Sequence, residues 1–186
     1  MPKIAEIENT PNPNAKKFIL REPVTWGITN SYDNAEQAMV DELASALFEI
    51  EHVTNVFYVD KWITVTQDGG VDWLELARKV AVPIRAAPTA SAQTEVTLAA
   101  ATSAMTDLSP EDQHRLDTIS SLIDDQVRPY LKNDGGDLQV VGLVGNRLSV
   151  HYQGACGSCP SSISGTLRGI ENLVRSIEPS IDVVAV

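Results

Sequence analysis

The chain has 186 residues, 43% hydrophobic and 21% charged, with a formal net charge of −11 and an isoelectric point near 4.6. This composition is that of a globular protein with room for one large or two small domains. An acidic balance without clustered Lys and Arg excludes a phosphate-binding surface, so no nucleic acid partner is expected, and without a long apolar run no membrane span is expected.

Residues 4–8 and 17–20 read as strands, separated by Thr10-Pro11-Asn12-Pro13-Asn14, whose prolines and asparagines make a turn. Residues 23–33 carry Pro, Gly and Asn and read mostly as loop. Asp33 and Glu36 have the spacing of a capping box. Ala35, Met39, Leu43, Ala46, Leu47 and Ile50 then follow at helical spacing, with an acidic outer face. Residues 53–59 and 62–66, rich in β-branched and aromatic residues, read as a hairpin through Asp60-Lys61. Asp72 and Glu75 open a helix with Leu74, Ala77, Val80 or Ala81, and Ile84 on one stripe. The three tryptophans, Trp26, Trp62 and Trp73, read as packing residues, and His52 as a structural histidine. Nothing in this first stretch has a catalytic arrangement.

From residue 86 to about 108 small residues dominate and apolar periodicity stops, which predicts a linker. Ser109-Pro110-Glu111-Asp112 has the form of a helix start, and Leu116, Ile119, Leu122 or Ile123, and Val127 continue it. Pro129 predicts a kink or a terminal turn. Asn133-Asp134-Gly135-Gly136-Asp137 reads as a turn; its two acids fall short of a calcium loop. Residues 138–144 and 147–153 form a hairpin through Gly145-Asn146, with Leu148, Val150 and Tyr152 facing the core and His151 facing water. A helix follows Pro160, with Ile163, Leu167, Ile170, Val174 and Ile177 on one stripe, and residues 181–186 form a last strand. The expected fold class is α+β. Two small α+β domains, 1–86 and 109–186, are joined by a flexible Ala/Thr/Ser-rich linker, 87–108. The second domain has the order α-β-β-α-β.

The chemistry concentrates in Gly154-Ala155-Cys156-Gly157-Ser158-Cys159-Pro160, which holds both cysteines of the chain. Pro160 fits the first helical position, which puts Cys159 near the N-cap, where the helix dipole favours a thiolate. Gly154 and Gly157 permit tight turns. An iron–sulfur cluster takes four thiolates, as does an all-cysteine zinc site, and this chain supplies two. The simplest completion is a second copy of the chain about a two-fold axis. A redox-active dithiol, a zinc-bridged dimer and a pair of inert thiols remain open on spacing alone. Cysteines in a metal-like spacing fit a reducing compartment. The first residues, Met1-Pro2-Lys3-Ile4-Ala5-Glu6-Ile7-Glu8, carry neither a secretion core nor an Arg-rich, acid-poor transit pattern. The expected location is therefore cytoplasmic.

Asp134-Gly135-Gly136-Asp137, a hairpin and then the cysteine loop together resemble the C-terminal domain of NifU. The first stretch resembles the Nfu N-terminal domain, through Thr10-Pro11-Asn12-Pro13-Asn14, Lys17-Phe18 and Leu47-Phe48-Glu49-Ile50. The resemblance covers nearly the whole chain apart from the linker. It implies a non-catalytic carrier or scaffold whose Cys156 and Cys159 bind a labile cluster shared across a homodimer, usually [4Fe–4S], with [2Fe–2S] the alternative. It further implies an upstream scaffold as donor, apo iron–sulfur proteins as clients, and a role for the N-terminal domain in recognising partners.

Overall fold

β-Branched and aromatic residues build the N-terminal stretch of the chain into one antiparallel sheet. In the computed structural model, residues 1–90, 110–157 and 160–186 are described, with the backbone alone for 110 and 160–164. The chain divides into two compact units, Met1–Glu95 and Val96–Val186. Both are mixed α and β, as expected. Residues 91–108 of the expected linker, the cap at Ser109 and Cys159 lie outside the described residues.

The first unit holds β1 (Ile4–Asn9), β2 (Ala15–Leu20), β3 (Thr29–Tyr32), α1 (Ala35–Ala38), α2 (Glu42–Phe48), β4 (Val53–Val59), β5 (Trp62–Gln67) and α3 (Trp73–Ala86). Its sheet order is β1-β2-β5-β4-β3. Phe18, Val56, Ile63 and Val65 pack against Leu47 of α2 and Leu76, Val80 and Ile84 of α3. The segment read as loop contains β3, paired with β4 from Thr29–Val59 to Tyr32–Val56. Its residues are polar, so the strand is set by its partner rather than by its own propensity.

The single helix expected after Asp33 is two helices. Asn34, not Asp33, is the first cap, its side chain accepting from the Gln37 amide at 2.9 Å. Asp41 caps again, accepting from the Ala44 amide at 2.8 Å. Its other carboxylate oxygen accepts from the Tyr58 hydroxyl on β4. That side-chain anchor competes with helix continuation, and Met39 and Val40 are left exposed. Asp72 caps α3 as expected, accepting from the Leu74 amide at 2.7 Å. Glu75 does not complete a capping box; it pairs with Lys79 at 2.7 Å. Leu74 is 67% exposed, and Leu76 takes the inward place expected of it. Trp26 is also exposed, whereas Trp62 and Trp73 are half-buried. His52 packs by its Nδ1 at 3.1 Å from Asp68, in a structural role.

The second unit holds α4 (Pro110–Gln126), α5 (Arg128–Asn133), β6 (Gly136–Val144), β7 (Arg147–Gly154), α6 (Pro160–Arg175) and β8 (Asp182–Ala185). The break expected at Pro129 separates α4 from α5. β6 and β7 form the Gly145-Asn146 hairpin, with Gly145 at φ 60°. α6 is a crossover connection, so β8 lies parallel to β7, from Arg147–Asp182 to Val150–Ala185. Leu116, Ile119 and Ile123 of α4, Leu138 and Leu143 of β6, Leu148, Val150 and Tyr152 of β7, and Ile170 and Val174 of α6 form the core. Ile177, expected on the α6 stripe, lies beyond the helix end and is partly exposed.

Candidate metal centre

The cysteine loop leaves the sheet at the end of β7 and is tied back to the start of β6. Gly136 pairs with Gly154 and Leu138 with Tyr152. Gly154 turns the chain at φ 66°. The Ala155 amide donates to the Gly135 carbonyl at 3.2 Å, and the Gly157 amide to the Gly154 carbonyl at 3.1 Å. Cys156 is thereby turned inward, 5% exposed, at the edge of the second core. α6 starts at Pro160, as the sequence predicts.

Two glycines make room for this loop by lacking side chains. A Cβ at Gly136 would lie 2.6 Å from the Gln153 carbonyl oxygen and 2.8 Å from Cys156 Sγ. One at Gly157 would lie 2.9 Å from the Tyr152 carbonyl oxygen. Sequence reasoning assigns Gly157 a role in turning but misses Gly136. A signal for it exists: Gly135 alone, at φ 82°, satisfies the turn. A second glycine beside it therefore answers a need for space rather than for backbone freedom.

Asp137 is 1% exposed. It accepts from Arg128 Nη1 at 2.6 Å and from the Leu138 amide at 2.8 Å. Arg128 also donates through Nε to Asp124 at 2.9 Å. The pair fixes α5 to the first residues of β6, next to the cysteine loop. Asp137 is therefore engaged in structure, and no group of three His, Cys, Asp or Glu side chains is gathered for a metal among the described residues. His151 lies outside the core, as expected, with Nδ1 2.9 Å from the Val186 carbonyl oxygen.

The described residues place one soft sulfur donor at this loop. Cys156 offers a thiol in an apolar, partly closed setting. Tyr152, 5% exposed, holds a hydroxyl with no hydrogen-bond partner among the described residues. Burial first, and then the charge of a Cys156 thiolate, hold this phenol protonated far above its ordinary range. A buried O–H that keeps its proton is a donor ready for an anionic sulfur.

A family model described as "Scaffold protein Nfu/NifU N terminal" matches residues 4–90, and one described as "NifU-like domain" matches residues 119–185. The human protein named "NFU1 iron-sulfur cluster scaffold homolog, mitochondrial" is 33% identical over 183 residues, covering 95% of this chain and 69% of that one. A Drosophila erecta protein of the same name is 30% identical over 181 residues, covering 96% of this chain and 63% of that one. This chain thus spans less than two thirds of the fly relative's length. A crystal structure of protein SAV1430 from Staphylococcus aureus matches 44% of this chain and 98% of its own, at 24% identity and TM-score 0.38. The human and fly relatives are named as mitochondrial, which overturns the cytoplasmic location expected from the sequence. Cysteine usage reports a reducing setting and does not single out one such compartment.

Proposed function

Since the chain belongs to the Nfu/NifU scaffold family, we propose that it is a non-catalytic carrier that holds a labile iron–sulfur cluster as cargo and hands it to apo-proteins. Cys156 and Cys159 are the ligands in this reading. The observation that carries it is the ligand count: the chain has two cysteines, both in one loop, where a cluster takes four. A homodimer sharing a [4Fe–4S] cluster completes the set. A cluster held by two thiolates per chain lies at a subunit boundary, and client thiolates displace carrier thiolates one at a time. The second unit, with the cysteine loop, is the cluster-binding domain, and the first recognises clients. An upstream scaffold supplies the cluster.

Anaerobic loading with ferrous iron and sulfide tests this. The expected product is a brown dimer with about four irons per two chains, and Cys156→Ser or Cys159→Ser abolishes it. A colourless protein that cycles a Cys156–Cys159 disulfide with a thiol reductant would make it an oxidoreductase instead. Tight zinc binding without release to a client would make it a structural dimer.

A further inference from the structure

Residues two apart on a strand share a face, and directly paired residues share it across the ladder. Gly136 and Leu138 of β6 therefore lie on one face, and Tyr152, opposite Leu138, lies on it too. That face is the core face, since Leu138 and Tyr152 are both buried in the second core. Cys156 Sγ stands 2.8 Å from the point where a Gly136 Cβ would be. The sulfur thus fills the side-chain place diagonal to Tyr152, within reach of an aromatic side chain. Cys156 and Tyr152 belong to the same cluster of buried residues.

Tyr152 is an expensive choice for that position in the cluster-free chain. Its hydroxyl is buried with no partner among the described residues, and buried hydroxyls are normally paired. Phenylalanine would fill the same volume without leaving a donor unsatisfied. What tyrosine adds is one buried O–H in a core whose only sulfur among the described residues is that of Cys156.

We propose that Tyr152 is a positioning residue for the cargo: its hydroxyl donates a hydrogen bond to an anionic sulfur of the bound cluster, either the Cys156 thiolate or an inorganic sulfide. This rests on the cluster-carrier reading. Among the described residues the donor has no partner while Cys156 is a thiol. It gains its acceptor when the thiol gives up its proton on binding iron, which concentrates negative charge on sulfur. No bond is made or broken at the phenol. A hydrogen bond to a cluster sulfur raises the reduction potential and slows loss of the cluster, because it stabilises charge on sulfur in the loaded form.

The test compares the full-length chain with Tyr152→Phe, which keeps the ring and removes only the hydroxyl. Three quantities are read: the urea midpoint of the cluster-free protein, the reduction potential of the loaded protein, and the half-time of cluster loss to an iron chelator. The expected pattern has opposite signs in the two states. Cluster-free Tyr152→Phe unfolds at the same or a higher urea concentration. Loaded Tyr152→Phe has a more negative potential and loses its cluster about tenfold faster, the size of a hydrogen bond to a charged acceptor. An unchanged potential and half-time would overturn the inference while leaving the carrier reading intact. So would a cluster-free variant that is destabilised or unfolded, since the hydroxyl would then serve the fold itself. If the wild-type chain takes up no iron and sulfide, the carrier reading fails and this one with it.

Discussion

Gly136 is where a single hydrogen atom decides the site. Its missing side chain would press on three atoms, and one of them, the Gln153 carbonyl oxygen at 2.6 Å, is backbone held in the β6–β7 ladder. A flexible neighbour could swing aside; a ladder carbonyl cannot. Gly136→Ala should therefore destabilise the second unit by about 1–3 kcal/mol, the usual cost of overpacking, and push Cys156 out of place. Urea unfolding and iron content after loading check this together; a variant with wild-type stability and iron content would contradict it. Residue type and spacing nominate Cys156 and Cys159 as the proposed ligands, because thiol chemistry is a property of the residue itself. The cradle around Cys156 is not legible in that way. Gly136 and Cys156 meet because β6 and β7 pair in one register, and a register is a property of two strands. Tyr152 is legible as a core residue from its alternation with Ser149, His151 and Gln153, but alternation says nothing about whether its hydroxyl finds a partner.

At the scale of elements, Arg115 fastens the start of α4 to the return after α6. Its Nε donates to Glu178 at 2.9 Å, and its Nη1 to Asp112 at 3.0 Å and to the Gly145 carbonyl at 3.1 Å. The guanidinium holds the Glu178 carboxyl below its usual value. A depressed carboxyl stabilises the fold above the ordinary glutamate range, near 4.3, and that contribution is lost as pH falls through the lowered folded value. Both side chains remain partly solvated, so the expected size is about 1 kcal/mol. Glu178→Gln should thus unfold at lower urea than wild type at neutral pH, with the difference closing as the solution is acidified below pH about 4. Denaturation curves of the two chains across that range decide it; a gap that persists at low pH would assign the effect to packing instead. The helices show why some elements are readable and others are not. α3 and α6 carry their own signals, a cap at Asp72 and a proline at 160 followed by apolar stripes. The division between α1 and α2 depends on the Tyr58 hydroxyl reaching Asp41 from a strand that comes later in the chain. Likewise, β3 is a strand because β4 offers it an edge.

At the scale of the whole molecule, the two hydrophobic cores among the described residues share no residue. The chain also carries a net charge of −11, and in the proposed assembly two such chains must approach around a cluster whose ligands are themselves anions. Like net charges oppose that approach over a Debye length of about 30 Å at 0.01 M salt, but only about 8 Å at 0.15 M. The loaded dimer should therefore tighten as salt rises through this range, by about threefold to tenfold in dissociation constant. Sedimentation of the loaded protein at several sodium chloride concentrations measures the slope. The sign is the informative quantity. Tightening with salt means that the cluster's iron–thiolate bonds hold together two surfaces that otherwise repel, so that loss of the cluster frees the chains for a client. Weakening with salt would mean that opposite charges face each other across the interface. Such a dimer would persist without its cargo, and release would then require the client to pull bound subunits away from each other as well as exchange thiolates.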